Sequence, residues 1–284
     1  MEWESAAGKR ILITGATNGI GLAACEALAK KGADLSIVAR SRGKADAAVR
    51  TITAAGGPGT TVDVFMADLS SQADVRRLGD EVLARYPRLD ALVNNAGAVY
   101  SKRELSPDGI ELTWALNHLA PFLLTTLLLE RLEASAPARI VTTSSDAHKG
   151  AHIPFDDLNA ERSFSVGRYR QTKLANILFT SELARRLGDA DVTANCFHPG
   201  LVATGFSRNN GIVMRLLATV ARPFSRTVTQ GADTLVWLLD SPDVDGLSGL
   251  YFVNRLAVPP SRAAQDAEAA RRLWEVSEAQ VRPR

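Results

Sequence analysis

Tyr169 and Lys173 stand four residues apart in a run, Val166 to Leu187, whose apolar spacing predicts a helix, so the two side chains share a face. A phenol with a pKa of about 10 is a poor acid–base group at neutral pH. A cation about 4 Å away, at an effective dielectric of about 20, contributes on the order of 4 kcal/mol. That is enough to bring the phenol to about 7, where proton exchange with a reacting oxygen is most effective. By themselves, a tyrosine and a lysine at this spacing read first as an ordinary exposed pair. A second group is Thr14-Gly15-Ala16-Thr17-Asn18-Gly19-Ile20-Gly21, between an apolar run and a helical one. Glycines there permit a tight turn and let backbone N–H groups at a helix start meet a pyrophosphate. The spacing is G-x-x-x-G-x-G, not G-x-G-x-x-G, and many strand-to-helix turns carry glycines for geometry alone. Ser144 and Ser145 end a third apolar run, where turn serines are common.

Other reactive residues group less well. Ser145, Asp146 and His148 are too close in sequence to converge as a hydrolase triad, and no G-x-S-x-G elbow is present. His148 and His152 have a metal-like spacing, but Gly150 and Pro154 mark a loop and no third ligand follows, so both are expected to be solvated. His118 and His198 read as packing or site-lining residues. Cys25 and Cys196 match neither a metal spacing nor a disulfide framework, which fits a reduced, cytoplasmic compartment.

These residues need a scaffold, and the chain alternates strand-like and helical runs from end to end, the pattern of a parallel sheet covered on both faces. Strands are expected over 10–14, 35–39, 62–66, 89–93, 139–143, 192–197 and 250–253. Helices are expected over 20–31, 74–86, 108–134 and 166–187. The fold class is α/β, a single-domain doubly wound Rossmann fold over residues 1–284 with a seven-stranded, mostly parallel sheet. No linker divides the chain. The segment 205–226 breaks the rhythm with Phe206, Ile212, Met214 and Phe224 just after the sixth strand, where open α/β sheets take ligands. It is a candidate substrate lid or, equally, a packed or partner-facing helix.

The 33 basic and 31 acidic residues leave a formal charge of +2 without a like-charged block, so neither nucleic acid nor a polybasic membrane contact is expected. Residues 1–10 have no apolar core of the secretory kind. The stretch Ala115 to Leu129 is interrupted by Asn117, His118 and Pro121 and reads as a buried helix, not a membrane span.

Taken in order, Thr14-Gly15-x-x-x-Gly19-x-Gly21, Asn94-Asn95-Ala96-Gly97, Ser144-Ser145, Tyr169-x-x-x-Lys173 and Pro199-Gly200 resemble the short-chain dehydrogenase/reductase family. Lys173-Leu174-Ala175-Asn176-Ile177-Leu178-Phe179 and the late Ala270-Arg271-Arg272-Leu273-Trp274 are similar to its retinol-dehydrogenase-like branch. The resemblance implies hydride transfer with a nicotinamide cofactor. It implies Tyr169 as acid/base, Lys173 also holding the nicotinamide ribose, and Ser145 bonding the substrate oxygen, with Ser144 as the fallback. It implies Asn117 as a link from the lysine to solvent through a water. For the cofactor it implies Gly15, Thr17, Asn18, Gly19, Ile20 and Gly21 at the phosphates, and Asp68 and Leu69 near the adenine. Asn95, Ala96 and Gly97 would lie beside the ribose, and Pro199, Gly200 and Thr204 at the carboxamide and phosphates. A homodimer or homotetramer is the family's expectation.

The end of the second strand meets the adenine ribose in this fold, and an acid there accepts the 2′-hydroxyl of NAD. Ala39 occupies that position, Arg40 follows, and a guanidinium suits a 2′-phosphate, so NADP is the expected cofactor. The substrate is expected to be a hydrophobic ketone, aldehyde or secondary alcohol. Two alternatives stay open: non-redox chemistry on the same fold and cofactor (isomerisation, dehydration or cyclisation), and a non-catalytic cofactor-binding regulator.

Overall fold

The computed structural model describes residues 3–202 and 226–283. The expected lid 205–226 and Thr204 therefore fall outside the described residues, apart from Arg226. Among the described residues, eight strands form one sheet in the order β3-β2-β1-β4-β5-β6-β7-β8. They are β1 Arg10–Thr14, β2 Asp34–Ala39, β3 Val62–Met66, β4 Ala91–Asn94, β5 Ala138–Thr143, β6 Val192–His198, β7 Tyr251–Val253 and β8 Leu256–Ala257. The first seven are parallel, as expected. The eighth, two residues long, pairs antiparallel with β7. Its turn puts Asn254 and Arg255 at φ of 55° and 63°, and a two-residue strand is too short to leave a periodic signal.

The central strands are apolar on both faces because both faces are covered. Leu12 packs into one core cluster while Ile11 and Ile13 pack into the other, the alternation a pleated strand imposes. The helices are α1 Gly19–Lys30, α2 Arg42–Gly56, α3 Gln72–Arg85, a composite α4 from Leu112 to Ala134, α5 Gly167–Leu187, α6 Val228–Asp240 and α7 Ala267–Val281. Helices α1, α2 and α6 lie against one another on one side, and α3, α4, α5 and α7 make the corresponding contacts on the other. The sequence pattern missed α2, α6 and α7. Only Ala45, Ala48 and Ile52 of α2 are buried, a stripe of mostly small side chains that a hydrophobic pattern hardly registers.

Helix α4 also begins later than expected. Residues Leu105 and Glu111 bridge antiparallel around a turn at Gly109. The helix starts only where the Glu111 carboxylate accepts the N–H groups of Thr113 and Trp114. Leu112–Trp114 leads into a π-helical turn, Ala115–Leu119, before regular helix resumes over Ala120–Ala134. Among the described residues, this is the one helix long and apolar enough to cross a membrane, and 72% of its most apolar window is buried in the fold. Core packing accounts for its apolarity.

Parallel strands end on the same edge of a sheet, and that decides where the reactive residues meet. Arg40 follows β2, Asp68 lies just past β3, Asn95 to Gly97 follow β4, Ser144 and Ser145 follow β5, and Pro199 and Gly200 follow β6. The order reverses between β1 and β4, which opens a crevice at the carboxyl ends of those strands.

Candidate functional site

The glycine turn between β1 and α1 is held too closely for side chains. Gly15 has φ +67°, and a Cβ there would sit 2.8 Å from the Ala96 Cα. A Cβ on Gly21 would lie 2.3 Å from the Gly15 carbonyl and 2.6 Å from the Asn95 amide nitrogen. Asn95 Nδ2 donates to the carbonyls of Thr14 and Gly15 at 3.1 and 3.2 Å, which ties the turn to the end of β4. Thr14 completes the tie: its hydroxyl accepts the N–H groups of Asn95 and Ala96 and donates to the Val93 carbonyl. Asn18, at the start of α1, makes no side-chain cap, so the first N–H groups of that helix are not covered by it. Thr17 and Ile20 flank it, partly buried.

Across the crevice, the fold brings Ser145, Tyr169, Lys173 and Asn117 together. Ser145 hydrogen-bonds the Tyr169 phenol. Its oxygen also accepts the Ala147 N–H at 3.1 Å, and that contact leaves the hydroxyl proton to be donated elsewhere. Lys173 is buried. Its ammonium lies 5.4 Å from the centre of the Tyr169 ring and donates to the Thr143 carbonyl at 2.9 Å. Ser144 does not reach into the crevice, because it is buried and its hydroxyl donates to the Lys173 carbonyl. Asn117 sits in the π turn of α4 with its amide committed on both sides. Oδ1 accepts Ala98 N–H, and Nδ2 donates to the Ala98 carbonyl and to Thr172. A Cβ on Gly97 would meet Asn117 Oδ1 at 3.2 Å and Lys173 Nζ at 3.9 Å, so this glycine lets three elements close on one point.

The electrostatics correct the expectation of a phenol near neutrality. Burial pushes the Tyr169 phenol above its ordinary value, and the hydrogen bond from Ser145 only partly offsets it. The same burial brings Lys173 down to about 8. Desolvation thus sets the direction for both groups, and the ammonium lies 5.4 Å from the ring centre rather than about 4 Å from the phenol oxygen.

At the far end of the crevice, Arg40 is exposed and lies 3.8 Å from Asp68, which pairs two residues expected at the adenine side. Asp68 also accepts the Ser70 N–H and hydroxyl, and Leu69 packs against the core. Gly200 has φ +86°, and a Cβ there would meet the Arg226 side chain at 2.6 Å, so Pro199 and Gly200 run close under the residue at which the described chain resumes.

Several contributors were not legible in sequence. Thr143 acts through a carbonyl at a strand end, and Thr14, already part of the glycine turn in the sequence, acts through a hydroxyl whose tie to β4 no spacing reveals. Glu111 and Arg168 form a buried ion pair at 3.0 Å between the start of α4 and the residue before Tyr169. Their separation along the chain left no pattern. His148, expected to be solvated, is fully buried, whereas His152 is exposed. His118 packs against Trp114, Phe122 and Phe179, as a packing residue would.

The family model described as short chain dehydrogenase matches residues 9–212. Retinol dehydrogenase 14 of Mus musculus is 42% identical over 287 residues, covering 96% of this chain and 86% of the relative. Retinol dehydrogenase 12 of Mus musculus is 40% identical over 271 residues, covering 95% of this chain and 85% of the relative. Among solved structures, a short chain dehydrogenase from Burkholderia cenocepacia J2315 in complex with NADP aligns with a TM-score of 0.70 at 28% identity, covering 88% of this chain and 97% of that one.

Proposed function

Because the chain belongs to the short-chain dehydrogenase family, in its retinol-dehydrogenase-like branch, we propose that it moves hydride between NADP and the carbonyl or alcohol carbon of an apolar small molecule. The observation that carries the reading is the hydrogen-bonded pair of hydroxyls on Ser145 and Tyr169, backed by the buried ammonium of Lys173. The residues present fit a dinucleotide: the turn at Gly15 and Gly21 has no room for a Cβ, and a helix start stands open behind it.

When bound, the nicotinamide group supplies or accepts the hydride. Everything else falls to the chain. Gly15, Thr17, Asn18, Gly19, Ile20 and Gly21 hold the pyrophosphate, and Asp68, Leu69 and Arg40 take the adenosine end. Asn95, Ala96, Gly97, Lys173, Pro199, Gly200 and Thr204 serve the nicotinamide half. In reduction, Tyr169 gives its proton to the substrate oxygen, to which Ser145 donates a hydrogen bond. A phenol held protonated by burial suits that direction, and the lysine cation stabilises the phenolate left behind. Asn117, in the π turn near Lys173, connects that lysine to solvent through a water.

The apolar substrate class draws on the side chains of 205–226 and on the name of the mouse relative, whose substrate, retinol, is an apolar alcohol. NADP draws on Arg40, on Ala39 in place of an acid, and on the NADP-bound Burkholderia neighbour. A charged hydrogen bond to the 2′-phosphate, roughly 1.5–3 kcal/mol, corresponds to about ten- to a hundredfold in preference. Comparison of kcat/KM with NADPH and NADH, in wild type and Arg40→Ala, tests this. The expected outcome is an NADPH preference that the substitution reduces by that factor; a wild-type preference for NADH, or a preference the substitution leaves intact, contradicts it.

A further inference from the structure

His148 closes a short turn, Asp146–His148, that begins directly after Ser145. Its Nδ1 lies 2.7 Å from the Ser145 carbonyl and its Nε2 lies 3.0 Å from the backbone nitrogen of Ser261. A carbonyl only accepts and an amide N–H only donates. Both contacts are therefore satisfied by one form of the ring, the neutral imidazole with its proton on Nδ1. A second proton, on Nε2, would face the Ser261 N–H donor and break that contact. The Ser145 carbonyl accepts the His148 backbone N–H as well, at 3.1 Å, so the histidine grips it twice.

We propose that His148, as the neutral Nδ1–H imidazole, is a positioning residue for Ser145, clamping that serine's backbone between its own turn and the segment at Ser261 so that the hydroxyl stays aimed at the reacting oxygen. The inference rests on the reading of Ser145 given above. The ring is buried on every side. Asp146, in the same turn, accepts the Tyr251 hydroxyl at 2.9 Å and pairs with Lys149 at 2.9 Å. Tyr251 of β7 also meets the imidazole edge-on at 5.2 Å. His198 ends β6 nearby, Arg170 of α5 donates to the carbonyls of Ala147 and Lys149, and Arg262 follows Ser261. Asp146 favours the charged ring, and Lys149 opposes it. Burial, the largest influence, holds the pKa below the ordinary histidine value. The neutral clamp consequently persists at working pH and fails only on the acid side.

The test uses the full chain with cofactor and an accepted carbonyl substrate. Nitrogen-15 NMR of the imidazoles at pH 7.5 should show His148 neutral and protonated on Nδ1. His148→Phe should lower kcat by about tenfold or more while leaving cofactor affinity in place, since small misplacements of a reacting group are costly. His148→Asn keeps a donor for the Ser145 carbonyl and cannot titrate. It should recover part of kcat and lack the acid limb expected of wild type below the ordinary histidine range. If His148→Phe fails to fold, the NMR tautomer and the His148→Asn profile still decide. An Nε2–H tautomer, or variants with wild-type kcat and an unchanged acid limb, overturn the proposal. Ser145→Ala separates the two levels of the account. If it turns over like wild type, the reading of Ser145 itself falls; if it is inactive while the His148 variants match wild type, only the clamp falls.

Discussion

Tyr169 and Lys173 stand about one helical turn apart on α5. The shared helix face was readable from the interval of four, and the structure puts the phenol against Ser145 and the ammonium 5.4 Å from the centre of its ring. The sign of the phenol's shift was not readable, because it depends on burial that only the packed α5 and its neighbours supply. In the proposed mechanism the protonated phenol is the acid of carbonyl reduction, so removing its hydroxyl removes the proton without removing the ring. Tyr169→Phe is expected to lower kcat by about 10²-fold or more. Cofactor affinity, followed by fluorescence titration, should stay near wild type. Loss of cofactor binding in parallel with kcat would instead make Tyr169 a packing residue.

At the scale of elements, the strands were legible because a sheet covered on both faces demands apolar runs, and 10–14 and 62–66 match β1 and β3 residue for residue. The start of α4 was not, because Asp108 to Glu111 belong to a turn whose partners lie far away: Asp108 accepts the Gln72 N–H, and Asn159 accepts that of Glu111. Glu111 then joins α4 to α5 through Arg168, which also lies 4.8 Å over the Trp114 ring. Both ends of this pair are buried, so cutting it leaves one charge without its partner. Arg168→Met is expected to cost about 3–5 kcal/mol in urea unfolding, and adding Glu111→Gln, which removes the charge but keeps an acceptor for the Thr113 and Trp114 N–H groups, should recover much of the loss. A single substitution that costs less than the double would contradict this account of how α5 is anchored.

For the whole molecule, buried histidines set the response of stability to acid. His118 lies wholly inside the aromatic cluster, and burial brings its pKa down to about 3. In the unfolded chain the same ring takes a proton near pH 6.5. The unfolded state therefore binds more protons between those two values, and stability falls as pH drops through that window. The slope attributable to His118 is up to about 1.4 kcal/mol per pH unit. His148 and His198, also held below their ordinary values, act in the same direction. Urea unfolding of wild type and His118→Asn at pH 7.5 and 5.5 should show a shallower loss in the variant, whatever its absolute stability. Equal slopes would mean that His118 is charged in the fold.

The central claim is that Tyr169, Ser145 and Lys173 support hydride transfer between a nicotinamide and a carbonyl carbon, and isotope transfer tests it most directly. NADPH carrying deuterium at the transferable position of its nicotinamide is incubated with a panel of apolar aldehydes and ketones, and the products are read by mass spectrometry. The account predicts one deuterium on the new carbinol carbon, one NADP formed per product, and loss of both in Tyr169→Phe. Product that forms without deuterium and without cofactor consumption would contradict it.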